Sequence, residues 1–168
     1  MKKILHLTLF LAIVSAIAGG ALAYANSITA PIIAENNEKA EKAVLMEMYP
    51  DATIKDFVEI NVPEEHPTID KIYEFGDMYI FKMTVSGYDG GTTFLVSINK
   101  DGVIDKYQAI SNGDTKGIGS KVMDSEFKSS LEGKEAAGTL DTISGATYSS
   151  TPIVDGIHEA AGLIGTLE

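Results

Sequence analysis

The apolar positions of the chain form one unbroken run near the N-terminus and become periodic after it. Residues 4–25 are apolar apart from a few polar side chains. About 20 residues in a helix cross the hydrocarbon core of a bilayer, so this run predicts a single transmembrane anchor. Lys2 and Lys3 predict a cytoplasmic N-terminus. A signal peptide cleaved after the Ala21–Ala23 segment is the alternative, and either interpretation exports the remaining chain.

Helical periodicity returns beyond the anchor. Pro31 is expected to end or kink the first helix. The segment 34–50 is then predicted to be a helix that places Ala40, Val44 and Met48 on one face. Pro50 is expected to end it.

Alternating apolar and polar residues next predict an antiparallel sheet with four or five strands. Two hairpin signals, Gly76-Asp77 and Asp101-Gly102, separate neighbouring strands. His66 lies in a loop between strands, and it is predicted to be solvated because a metal site needs more ligands within reach. The predicted strand segments are 52–60, 71–75, 78–87, 91–98 and 103–110.

The C-terminal segment has the period of an amphipathic helix. Thr151 is the predicted N-cap, and Pro152 suits the first helical position. With a short helix predicted within 124–138, the pattern gives an α+β fold, an antiparallel sheet flanked by helices behind one N-terminal transmembrane helix. The predicted divisions are a cytoplasmic tip, an anchor, a linker and an extracytoplasmic domain, at residues 1–3, 4–25, 26–33 and 34–168.

Composition removes several classes of function. None of the 168 residues is cysteine, so thiol catalysis, iron–sulfur clusters and thiolate zinc sites are excluded. The formal net charge of −11 leaves no basic surface for nucleic acid, and all 13 basic residues are lysines. Neither a catalytic acid–base group nor a metal-ligand spacing is predicted.

Two loops remain as candidate binding elements. The first, 113–119, contains three glycines, and the second, 141–150, reads DTISGATYSS. The second loop leads into the C-terminal helix, and a helix N-terminus favours an anion. The hydroxyls of this loop could also simply cap the helix.

The second loop resembles the flavinylation motif of the FMN-binding domain family, an aspartate followed by S/T-G-A-T. Two further segments are similar to the family, GYDGGTTFLVSINKDGVI at 87–104 and NGDTKGIGSKV at 112–122. The resemblance covers nearly the whole chain. It implies that FMN is attached covalently, as a phosphoester, to Thr147, by a dedicated flavin transferase that uses FAD and magnesium. Asp141, Ser144, Gly145 and Ala146 complete the implied motif.

The glycine loop is the second part of the resemblance, with departures from the usual E-T-P-G-L-G. The residues implied to contact flavin are Asp114, Thr115, Gly117, Ile118 and Gly119. Asp114 replaces the usual glutamate, Lys116 the proline and Ile118 the leucine. Because Gly117 and Gly119 are kept, the backbone is expected to approach the flavin closely.

The resemblance also implies a role. Known members include the G subunit of the Rnf complex, an ion-translocating ferredoxin:NAD oxidoreductase. A chain of this kind is implied to carry electrons between membrane subunits from the outer side of a prokaryotic cytoplasmic membrane. The alternatives are the C subunit of a sodium-translocating NADH:quinone reductase and a stand-alone, membrane-anchored FMN-binding domain.

Overall fold

The computed structural model describes residues 2–63 and 65–167. The ends of the predicted tip and domain, Met1 and Glu168, lie outside the described residues. Two compact units are present, Met1–Glu41 and Lys42–Glu168, and each is described by itself.

The N-terminal unit is helical. Helix α1, Lys2–Met48, begins in this unit and ends in the second one. Its apolar stretch is long enough to cross a membrane and has no buried residues, which confirms the candidate transmembrane helix. Pro31 lies inside α1, so of the two expected outcomes, an end or a kink, the helix end is wrong, and residues 26–33 are helical. A proline removes one backbone donor, and the helix continues through the following turns, where Glu35 pairs with Lys39 at 2.7 Å.

The second unit is built on a five-stranded antiparallel sheet, as predicted. Its strands follow chain order, β1–β2–β3–β4–β5. The first predicted strand is shorter than expected, because Ile54–Asp56 forms a 3₁₀ turn. Asp56 holds that turn by accepting hydrogen bonds from the Thr53 N–H at 2.7 Å and hydroxyl at 2.9 Å. The strands are Val58–Ile60, Ile69–Phe75, Met78–Ser86, Gly91–Asn99 and Ile104–Asn112.

Helices cover both faces of the sheet. On one face, helix α3, Thr147–Leu167, packs Ile153, Ile157 and Ala160 into the main core, next to the short helix α2, Ser125–Leu131. On the other face, the end of α1 buries Leu45 and Met48 against the sheet. This arrangement fixes the N-terminus of α3 near the loops at one end of the sheet.

His66 is not the solvated side chain that the sequence predicts. Its Nδ1 lies 2.7 Å from Oε1 of Glu159, and the other oxygen of Glu159 accepts a hydrogen bond from Thr68. Glu159 belongs to α3, so the pair attaches the loop before β2 to this helix.

Candidate functional site

Helix α3 begins five residues earlier than predicted. Its first helical residue is Thr147, and Pro152 lies inside the helix, so Thr151 is not the N-cap. The Ala146 carbonyl accepts the first helical hydrogen bonds, from the Ser149 N–H at 3.1 Å and the Ser150 N–H at 3.0 Å. Hydroxyl groups that were expected to cap the helix therefore lie within its first turn.

The Ser150 side chain fixes the loop in front of the helix. Its hydroxyl accepts a hydrogen bond from the Ile143 N–H and donates one to the Ala146 carbonyl, both at 3.0 Å. A turn closes between the Ala146 N–H and the Ile143 carbonyl at 2.9 Å. Gly145, in this turn, has φ +82°, a conformation that L side chains rarely adopt. Ala146 is buried, at 4% exposure, so its small side chain fits the packed start of the helix.

Thr147 is the accessible hydroxyl at the start of α3. Its side chain is exposed, whereas Ser149 and Ser150 are buried. Within residues 2–63 and 65–167, neither the hydroxyl nor the N–H of Thr147 has a hydrogen-bond partner. A free helix N-terminus of this kind stabilises an anionic group.

Asp114 joins the loop after β3 to the loop after β5. Its Oδ1 accepts hydrogen bonds from the Asp89 N–H at 2.9 Å and the Gly90 N–H at 3.0 Å. Its Oδ2 is buried and makes no hydrogen bond of good geometry in the described part of the chain. Burial raises the pKa of Asp114, but the Ser149 hydroxyl and the N–H groups of residues 88–90 lower it, and the lowering dominates. The carboxylate is therefore the charged form at neutral pH.

Two residues of the predicted glycine loop have different reasons for being glycine. Gly117, at φ +80°, occupies a turn that is closed by the Ile118 N–H on the Thr115 carbonyl at 3.1 Å. A Cβ at Gly119 would lie 2.5 Å from both Cβ of Asp114 and Oγ of Ser149. The backbone at Gly119 therefore lies close to two side chains of the same protein, those of Asp114 and Ser149.

The three segments singled out in the sequence meet around one cleft of about 300 Å³, called here the loop cleft. The segment 87–104 contributes Tyr88, a residue that sequence reasoning did not single out. The loop cleft is lined by Tyr88, Asp114, Thr115, Ile118, Gly119, Gly145, Ala146, Thr147, Tyr148 and Ser149. Gly117 supports the lining loop without lining the cleft.

The first half of the hydroxyl-rich motif faces elsewhere. Asp141 and Ser144 border a separate polar groove of about 430 Å³ beside α2. Asp141 pairs with Lys134 at 2.6 Å and its side chain is 72% exposed. Lys121 also borders this groove. The structure thus divides the motif into an outward-facing half at 141–144 and a half at 145–149 that lines the loop cleft.

Two family models match the chain. The model of the FMN-binding domain matches residues 87–162, which include every residue that lines the loop cleft. The model of the RnfG N-terminal region matches residues 1–48, which include the apolar helix.

Two curated relatives match along nearly their whole lengths. The G subunit of the Na(+)-translocating ferredoxin:NAD(+) oxidoreductase complex of Acetobacterium woodii is 29% identical over 185 aligned positions, covering 94% of this chain and 89% of the relative. The G subunit of the ion-translocating oxidoreductase complex of Methanosarcina acetivorans is 24% identical, covering 99% and 97%.

Proposed function

We propose that this chain is the electron-carrying flavoprotein subunit of an Rnf-type, ion-translocating oxidoreductase. The proposal follows from its membership of the FMN-binding domain family and from its N-terminal region, which is that of an Rnf G subunit. The proposal includes covalent attachment of FMN to Thr147. The observation that carries it is the position of the Thr147 hydroxyl, exposed and unpaired in the described residues, on the wall of the loop cleft.

The groups around Thr147 suit a phosphoester. The N–H groups at the start of α3 can donate to phosphate oxygens, and the helix dipole favours the negative charge there. Within residues 2–63 and 65–167, the loop cleft has no lysine in its lining. Backbone donors would therefore hold the phosphate.

Attachment requires an outside catalyst, because no base lies beside the Thr147 hydroxyl in the described residues. A flavin transferase would supply the base and magnesium. The threonine oxygen would form the new bond to phosphorus as the bond to AMP in FAD breaks. Asp141 and Ser144, which face outward, are placed where such an enzyme could bind the folded domain.

FMN would supply the redox chemistry, since it accepts and releases electrons one at a time. The chain would hold the cofactor covalently, so that the cofactor could not diffuse away outside the cell. The apolar helix would anchor the domain on the outer side of the cytoplasmic membrane, beside the other membrane subunits of the complex. The relatives and the RnfG N-terminal region favour this context over a quinone-reductase C subunit or a stand-alone domain.

The decisive experiment measures the intact mass of the full chain after co-expression with and without a flavin transferase. Only with the transferase is the mass expected to increase by one covalently attached FMN, and peptide mapping should place this FMN on Thr147. The loaded protein should be reduced by dithionite and reoxidised, without oxidising NADH at enzyme-like rates by itself. An unmodified mass in the presence of an active transferase would refute the attachment, and fast, saturable NADH oxidation would refute the carrier role.

A further inference from the structure

Two tyrosines stand exposed at the mouth of the loop cleft. Tyr88 is 74% exposed and Tyr148 is 77% exposed, the highest values among the exposed large hydrophobic side chains of the unit Lys42–Glu168. They are distant in sequence, yet their ring centroids are 6.2 Å apart and their planes are inclined at 62°. Exposed aromatic rings that meet at a cleft indicate a binding surface for a flat apolar group.

The backbone beneath both rings is held firmly. Next to Tyr88, the N–H groups of Asp89 and Gly90 donate to Asp114. Next to Tyr148, the buried Ser149 lies against Gly119, which also contacts Asp114. The two rings therefore project from backbone that is hydrogen-bonded or closely packed, and not from a loosely held segment.

The loop cleft that both rings line also contains the exposed hydroxyl of Thr147 and an exposed aliphatic side chain. Thr147 directly precedes Tyr148, and Ile118, 53% exposed, adds an aliphatic side chain to the same wall. A cofactor tethered to Thr147 through its phosphate can reach both rings, because they border the cleft on which its tether lies.

We propose that Tyr88 and Tyr148 form the aromatic surface that holds the isoalloxazine ring of the FMN carried by Thr147, with one tyrosine ring stacked on its face and the other, inclined at 62° to the first, against its edge. This assignment rests on the proposed function, which supplies the flavin. The two tyrosines are positioning residues: they hold the ring at the mouth of the cleft, where one of its edges stays open to a partner subunit. Their phenol groups also act on the excited flavin, since one electron can pass from a stacked phenol to the photoexcited ring and return.

The test compares native and unfolded flavin fluorescence of the same loaded samples. Variants Tyr88→Leu, Tyr148→Leu and the double variant are co-expressed with the transferase, and intact mass gives the flavin content of each. Wild-type protein is expected to be several-fold dimmer when native than after unfolding in guanidinium, whereas the double variant should lose most of this quenching. Tyr24→Leu is the control, because Tyr24 belongs to the N-terminal helix and is not among the residues that line the loop cleft.

Phenylalanine variants separate ring contact from electron donation. The double variant Tyr88→Phe, Tyr148→Phe should show strong flavin fluorescence when native, because phenylalanine is a poor electron donor. It should nevertheless keep the visible absorption band of the stacked wild-type flavin. The double leucine variant should shift that band towards the unfolded spectrum. A fully loaded double leucine variant that is still quenched and unshifted would overturn the stacking assignment and leave the proposed function intact. A wild-type protein that takes up no flavin would overturn both.

Discussion

The carboxylate of Asp114 lies so close to Gly87 that a Cβ at position 87 would stand 2.1 Å from Oδ2. Gly119 approaches the same side chain from another loop, where an added Cβ would stand 3.0 Å from Oδ2. Asp114 thus fills the space between two glycine backbones, and the loops on either side of the cleft depend on it.

Asp114→Asn is expected to destabilise the domain by about 1 to 3 kcal/mol, because hydrogen bonds to a charged acceptor are replaced by weaker ones at a buried position. Since the pKa of Asp114 is lowered on folding, its contribution is present above the ordinary aspartate pKa of about 3.9 and is lost as pH falls through the lower folded value. Denaturation midpoints of both proteins, measured from pH 7 downwards, should therefore converge in acid. A constant difference at all pH values would show that the charge of Asp114 does not matter.

Thr147→Ala should abolish covalent flavin while changing stability by no more than about 0.5 kcal/mol, because the side chain is exposed and unpaired in the described structure. In-gel flavin fluorescence after co-expression with the transferase reads out the loss. Thr139→Ala removes an exposed hydroxyl outside the motif and should keep the attached flavin, and Thr147→Ser should keep part of it. A fluorescent Thr147→Ala band at wild-type strength would mean that another residue is the acceptor.

Gly145→Ala and Gly162→Ala make the same chemical change with opposite expected signs. Gly145 has φ +82°, so alanine there should cost about 1 to 2 kcal/mol and distort the turn that presents Thr147. Gly162 lies exposed in α3 with open space around it, so alanine should stabilise the helix by about 0.5 to 1 kcal/mol. Guanidinium unfolding of both variants, with flavin loading measured in parallel, checks the pair. Equal effects of the two changes would contradict the role assigned to the backbone at Gly145.

The cysteine-free sequence allows a clean test of sidedness. Thr139→Cys places one thiol at an exposed position of the domain. A membrane-impermeant maleimide should label it equally well in spheroplasts before and after permeabilisation, and the wild type should not react. Labelling only after permeabilisation would place the domain in the cytoplasm. Sequencing the mature N-terminus distinguishes a retained anchor from a cleaved signal peptide.

Local patterns in the sequence predict the sheet, but not every element boundary. The turns at Gly76-Asp77 and Asp101-Gly102 separate neighbouring strands as expected, because such turns depend on the residues within them. The predicted start of α3 is wrong, because Pro152 is tolerated at the sixth helical position although it removes one helical N–H donor there. Here the Ser150 hydroxyl accepts a hydrogen bond from the Ile143 N–H, and five more residues, 147–151, belong to the helix.

Contacts between distant segments are beyond the reach of local patterns. His66 and Glu159 are 93 residues apart, so no spacing rule could pair them. Within the site, the resemblance to a family correctly identifies the segments that meet. The loop cleft is lined by residues from all three segments. The two tyrosines at its mouth escape sequence reasoning, although both stand inside the quoted motifs, because exposure can be measured only in a folded chain.

Asp114 also works as a spacer. Its Oδ1 is fixed by the backbone of the loop after β3, while its own backbone belongs to the loop after β5. This one side chain therefore helps to set how far apart the two loops stand, together with the Gly113 N–H, which donates to the Gly91 carbonyl at 2.9 Å. Most members of the family are expected to carry glutamate here, one methylene longer, and that residue needs a wider separation. In this chain, the shorter acid and the two glycines that enclose it form a matched set, because a side chain at either glycine would collide with the side chain of Asp114.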